Sequence, residues 1–184
     1  MALNEKKILD HNKLISKISK LRNRKIVLCH GVFDLLHPGH IEYFKEAKSY
    51  GEILIVSLTA DQYVNKGPFK PVFKHNIRAF TLANLEIVDF VFINESADAV
   101  KLINIIKPNF YIKGQDYKEK TKDINLVKEK KAVKKNNGLT QFTSGKIFSS
   151  TQLLNDNFVS FTKEQGQIIK KLKSKFSKKN FTSQ

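Results

Sequence analysis

Lys25-Ile26-Val27-Leu28-Cys29-His30-Gly31 leads without a break into Val32-Phe33-Asp34-Leu35-Leu36-His37-Pro38-Gly39-His40, and this stretch decides the fold. The first half is a short apolar run ending in glycine, the pattern of a strand buried on both faces of a parallel sheet. In the second half, Pro38 suits the first turn of a helix because its missing N–H costs nothing there. Two histidines three residues apart at that helix start share one face, so both imidazoles can point at a single anion. Gly39 leaves room for close approach, and the helix N-terminus adds unpaired N–H donors and the positive end of its dipole. The segment therefore predicts a strand, a loop and a helix built around phosphate.

Working outward, strand and helix patterns alternate. Residues 52–59 (EILIVSLT), 88–93, 109–114 and 138–144 read as further strands, the last at an edge. Helices are expected after Pro38, around Ile77 to Leu85, from Ala97 to Lys107, around Leu126 to Val133, and from Ser149 to about Phe161. Alternation of this kind predicts an α/β, Rossmann-like, doubly wound and mostly parallel five-stranded sheet with helices on both faces, binding its ligand beyond the carboxyl ends of the strands. Ile8, Leu9, Leu14, Ile15, Ile18 and Leu21 recur at helical spacing, so residues 1–24 are expected to form one amphipathic helix packed on the domain of residues 25–162. Residues 163–184 read as a basic helix, a linker or a frayed end.

Lys plus Arg number 33 against 17 Asp plus Glu, a formal net charge of +16 in 184 residues. Residues 1–25 and 163–184 each carry +6, which leaves only +4 on the intervening body. The basic ends lack the interleaved aromatics of single-strand binders, so no nucleic-acid partner is expected. No apolar stretch approaches the ~20 residues of a membrane span, and MALNEKKILD has charges where a signal peptide needs an apolar core. No membrane partner and a cytoplasmic location are expected. Cys29, the one cysteine, excludes an internal disulfide and reads as a small buried hydrophobe. His37 and His40 are too few for zinc, whose catalytic sites use three protein ligands, and His11, His30 and His75 make no spacing with them. No protein metal site is predicted.

GVFDLLHPGH resembles the first motif of the HxGH nucleotidyltransferases, a family that includes cytidylyltransferases and the adenylyltransferase domain of ADP-heptose synthase. Lys66-Gly67-Pro68, Arg78, Lys113-Gly114-Gln115-Asp116-Tyr117 and Phe148-Ser149-Ser150-Thr151 extend the resemblance in order over residues 25–158. It implies transfer of a nucleoside monophosphate, AMP before CMP, from ATP or CTP with Mg²⁺ to a sugar phosphate such as heptose 1-phosphate, releasing pyrophosphate. A polyol phosphate such as glycerol 3-phosphate with CTP is the alternative within the class, and a nucleotide-binding module without turnover is the alternative outside it. By resemblance His37, His40 and Lys66 are catalytic. Gly31, Val32, Phe33, Gly39, Lys113, Gly114, Gln115, Asp116, Ser149, Ser150 and Thr151 bind nucleotide, and Asp34, Lys66 and Arg78 bind the acceptor.

Arg78 is the sole arginine after residue 24, which suits a bidentate phosphate contact that lysine cannot make, or an ordinary helix-surface ion pair. Asp34 reads equally as a helix-entry cap. Two positions depart from the family: Lys146 stands where many relatives have arginine, and Gln115 where heptose adenylyltransferases often have a second glycine. A homodimer is expected, as is fusion to or association with a sugar kinase domain, since related domains occur fused to one.

Overall fold

The computed structural model describes residues 2–66, 70–120 and 122–144, all within the compact unit Met1–Phe148. The expected last helix, the basic tail, the Ser149-Ser150-Thr151 motif and Lys146 lie outside the described residues, as do Gly67 and Pro68. Among the described residues the sheet has six strands, all parallel: β1 (Ile8–Leu9), β2 (Ile26–Gly31), β3 (Ile53–Thr59), β4 (Phe90–Asn94), β5 (Phe110–Lys113) and β6 (Leu139–Phe142). Their spatial order is β1-β4-β3-β2-β5-β6. From β2 the chain steps outward to β3 and β4, then returns across the sheet to β5 on the other side and ends at β6. The order thus reverses between β2 and β5, and the two loops leaving those strands diverge to open a crevice.

The helices are α1 (Ala2–Glu5), α2 (His11–Lys20), α3 (Pro38–Ser49), α4 (His75–Ala83), α5 (Val100–Ile106) and α6 (Ile124–Lys135). Strand side chains alternate between two cores, as a two-residue period demands. Val27 and Cys29 of β2 join Phe44 and Ala47 of α3 and Ala79 and Leu82 of α4. Ile26 and Leu28 join Leu14 and Ile18 of α2, Leu102, Ile103 and Ile106 of α5, and Val133 of α6. Helices therefore cover both faces of the sheet. Cys29 is fully buried, and burial pushes its thiol up to about 12, with Tyr43 and Lys113 pulling weakly the other way.

The sixth strand is β1, from a stretch whose spacing reads as part of one long helix. Asp10 divides it: its carboxylate accepts the Lys13 N–H at 2.8 Å and caps α2, while Ile8 and Leu9, just before it, extend the sheet by pairing with Val91 and Phe92. In α4, the helix expected around Ile77 to Leu85, the buried side is Arg78, Ala79, Leu82 and Ala83, whereas Ile77 is 51% exposed and Phe80 39%.

Gly51 ends α3 where the chain passes close over β2: an added Cβ would lie 2.7 Å from the Lys25 carbonyl oxygen and 2.7 Å from Val27 Cγ2. Neither can retreat without displacing the central strand. Gly51→Ala is expected to lower stability by about 1–3 kcal/mol, read as a lower urea midpoint at unchanged slope.

Candidate functional site

Of the described site candidates, the histidine loop, Lys66, Asp34 and the 114–116 turn come together beyond β2 and β5, whereas Arg78 and Lys113 lie buried beneath them. Gly31 closes β2 next to the ring of Phe33, and a Cβ there would come within 3.1 Å of Phe33 Cζ. Phe33 takes a left-handed backbone (φ 49°), costly for a bulky residue. Its buried ring sits 5.2 Å from Phe44 and meets His40 edge-on at 5.7 Å. Gly31 and Phe33 thus shape the loop and support a histidine from behind.

His37 occupies the N-cap position of α3 with extended backbone and makes no side-chain cap bond to the helix. Its carbonyl accepts the His40 N–H at 2.8 Å, and the two imidazole centroids stand 3.9 Å apart at 42°. Burial lowers the His37 pKa. Burial, then the neighbouring His37, then Lys66 bring His40 down to about 4. The Nδ1 of His40 is buried with no hydrogen-bond partner among the described residues. Both rings are accordingly neutral at pH 7, one above the other at a helix N-terminus. Helix α3 is fixed against β5 by the Tyr43 hydroxyl, which donates to the Ile112 carbonyl at 2.7 Å.

Lys66 arrives from the loop after β3. Loss of water lowers its pKa first; Asp34 and Asp116 act to raise it, Lys120 and Lys70 to lower it. The same influences show that Lys66 lies within electrostatic reach of His40, Asp34, Asp116, Lys70 and Lys120. Asp34 does not cap a helix. Its two oxygens accept the Val72 and Phe73 N–H groups, each at 2.9 Å, with Lys70 Nζ 3.7 Å away, so it ties the loop following Lys66 to the histidine loop. Asp116 pairs with Lys120 at 2.8 Å, and Lys120 lies 4.4 Å from the centre of the Tyr117 ring.

Two residues take places different from those their sequence context suggests. The Arg78 side chain has no exposed surface. It donates from Nε to the Phe73 carbonyl (2.9 Å), from one terminal nitrogen to the Val32 carbonyl, and from the other to the Thr59 carbonyl (2.8 Å) and to Asp61 (2.7 Å). Instead of presenting a fork to phosphate, Arg78 joins three loop segments under the site from inside. Burial opposes ionisation of Asp61, but Arg78 and then His75 hold its carboxyl below the usual range. Lys113 is also sealed in, 4% exposed, with Nζ 3.3 Å from the His30 carbonyl.

Gln115 and Asp116 stay exposed on a 3-10 turn that follows Gly114. A side chain at Gly114 would collide with Asp116, its Cβ falling 2.6 Å from Oδ1. Lys70, Lys120 and Asp61 escape a reading of motifs. The one sequence signal among them is the four-residue spacing of Asp116 and Lys120. Among the described residues no group of three or more His, Cys, Asp or Glu side chains could hold a metal ion, and no helix is long and apolar enough to cross a membrane.

Solved structures share this fold. A lipopolysaccharide core biosynthesis protein from Thermoplasma volcanium is 27% identical with TM-score 0.53, covering 65% of this chain and 93% of that one. Pantoate-beta-alanine ligase from Francisella tularensis, 20% identical over 96% of this chain and 81% of its own, shares the fold at TM-score 0.55. The chain belongs to the cytidylyltransferase-like family, whose model matches residues 28–172. Among curated proteins, bifunctional protein HldE of Aliarcobacter butzleri is 46% identical over 110 residues, 59% of this chain and 23% of that protein. HldE of Helicobacter pylori strain P12 is 43% identical over 116 residues, 62% of this chain and 24% of its own. The chain thus spans about a quarter of the length of these relatives.

Arg78→Lys keeps the charge but loses the fork that reaches Val32, Thr59, Phe73 and Asp61 together. It is expected to cost about 2–4 kcal/mol of stability, the scale of a broken buried network. Thermal unfolding checks this, and an unchanged melting temperature would place the guanidinium outside the fold.

Proposed function

We propose that this chain is a nucleotidyltransferase that moves AMP from ATP to a sugar phosphate such as heptose 1-phosphate and releases pyrophosphate. The observation that carries the reading is the close, tilted pair His37 and His40 at the N-terminus of α3, within electrostatic reach of Lys66, at the reversal point of the sheet. An ionised phosphate oxygen of the acceptor attacks the α-phosphorus, forming the new P–O bond while the bond to the β-phosphate oxygen breaks and pyrophosphate leaves. No strong base is required, so the site has to align the two anions and stabilise the charge that develops. His37, His40 and the α3 N–H groups face the triphosphate in this reading, and Lys66 bridges it to the acceptor phosphate. Gln115 and Asp116 border the base and ribose.

The described residues supply no carboxylate cage for Mg²⁺: Asp34 is bound to Val72 and Phe73, and Asp116 to Lys120. Magnesium would arrive with the triphosphate, whose charge it neutralises, and every step assigned to this chain rests on its own side chains. The ADP-heptose synthase resemblance of the motifs, the HldE relatives and the lipopolysaccharide core biosynthesis protein support a sugar phosphate acceptor and ATP. The relatives are called bifunctional, and the matched segment is only 23% of the length of one of them, which supports association with a second domain, a sugar kinase in this reading; a homodimer and a cytoplasmic location remain part of the proposal.

Pyrophosphate release from ATP or CTP, each with heptose 1-phosphate and with glycerol 3-phosphate, tests the reading. Turnover is expected with ATP and the heptose phosphate; turnover only with CTP and the polyol phosphate would replace it with the cytidylyl alternative. His40→Ala is expected to lower kcat by about 10²–10³. Binding also has a proton signature. Because His40 titrates near 4 in the free protein and a bound triphosphate favours the imidazolium, ATP binding at pH 6 should take up protons. Calorimetry in two buffers of different ionisation enthalpy would show it, and identical heats in both would remove the histidines from the phosphate site.

A further inference from the structure

Behind the crevice lies a closed polar cluster that no phosphate contact accounts for. Glu129 of α6 is 2% exposed and faces the sheet. One carboxylate oxygen accepts the Ala99 N–H at 3.0 Å; the other accepts the Tyr111 hydroxyl at 2.8 Å and lies 3.6 Å from Lys113 Nζ. The same ammonium donates to the His30 carbonyl at 3.3 Å and sits 4.3 Å from the centre of the Tyr117 ring. A buried ion pair is a poor device for stability alone, since apolar side chains of similar volume usually serve as well or better. Lys113 ends a strand of a largely apolar sheet, whose other buried polar residues, such as His30, Ser57, Thr59 and Asn94, do not form a buried ion pair among the described residues. What distinguishes this pair is its reach: Lys113 touches the end of β2, one residue before the Gly31 loop, and the underside of the turn carrying Gln115 and Asp116.

We propose that Glu129 is a positioning residue for the nucleotide: by holding the Lys113 ammonium in place, it sets the spacing between the histidine loop after β2 and the 115–117 turn after β5. This inference rests on the nucleotide reading above. Without Glu129, the ammonium has no counter-charge in a dry setting and turns outward, releasing the His30 carbonyl and Tyr117 together. The two walls of the crevice then lose their common tether, so the loss falls on nucleotide binding and leaves the acceptor's KM in place.

The test is a double-mutant cycle on the whole chain with Glu129→Gln, Lys113→Met and both together, reading thermal unfolding, ATP affinity by calorimetry and the KM of each substrate. Each single variant should unfold at lower temperature, and the double variant, which buries no unpaired charge, should regain most of that loss. Its ATP dissociation constant and nucleotide KM should nevertheless stay raised on the order of tenfold. Recovery of both stability and ATP affinity in the double variant would make the pair structural only and overturn the proposal, as would a rise confined to the acceptor KM. Tyr111→Phe removes one donor from Glu129 while keeping the ring and both charges, so a severalfold rise in nucleotide KM is expected there too, with a smaller fall in unfolding temperature than in Glu129→Gln. That variant decides the matter if the single charge variants do not fold, and an unchanged KM in it would then overturn the proposal. Failure of the unaltered chain to bind either ATP or CTP would overturn the nucleotide reading itself, whereas normal binding by the unaltered chain and an unchanged constant in Glu129→Gln would overturn this inference alone.

Discussion

Cations gathered at one edge of a sheet repel one another, and the crevice is arranged around that constraint. Two unit charges 4 Å apart interact by about 4 kcal/mol at the effective dielectric of a protein surface, so several free ammoniums around one crevice would oppose folding before any ligand arrived. Carboxylates stand beside or behind them: Lys70 beside Asp34, Lys120 on Asp116, Arg78 on Asp61 and Lys113 on Glu129. Lys66 lies within reach of both Asp34 and Asp116. The histidines meet the constraint differently, because burial and mutual proximity keep their rings neutral until an anion offsets the cost of a proton.

Seen this way, the formal charge of +16 says little about the site. Most of it sits in the first 25 and last 22 residues, while the crevice uses cations already matched to acids. The exposed pair Lys120–Asp116 is weak on its own, whereas Lys70–Asp34 is half-buried and its carboxylate is also held by two backbone N–H groups. The buried ones are different. Lys113 cannot leave its partner without stranding the buried Glu129 carboxylate, and Arg78, itself fully buried, would lose Asp61 and three carbonyls, so both act by holding loops together from inside.

Much of this was legible in the chain. The strand-loop-helix run from Lys25 to His40, the alternation of strands and helices, and the convergence of His37, His40, Lys66 and the 114–116 turn all follow from patterns a few residues long. Where reading fell short, a short-range signal competed with a longer-range one. Ile8 and Leu9 fit the helical period of the residues after them, but Asp10 caps α2 and β4 offers a free edge, so they pair as a strand. In α4 the apolar Ile77 and Phe80 face outward because the inner side is taken by Arg78 and small alanines that let the helix lie close to the sheet.

The sequence by itself determined where the paired histidines and the helix N-terminus would be, because glycine, proline and histidine at a strand-to-helix junction dictate backbone shape and donor direction locally. Only the tertiary structure decided what Arg78, Lys113 and Asp34 do. Each is a charged residue within a family motif, and such a residue reads as a ligand contact. Its partners come from elsewhere in the chain: Val32 and Thr59 for Arg78, His30 and Glu129 for Lys113, Val72 and Phe73 for Asp34. A buried charge is defined by what surrounds it, and that surrounding exists only once the strands have paired and the helices have closed over both faces.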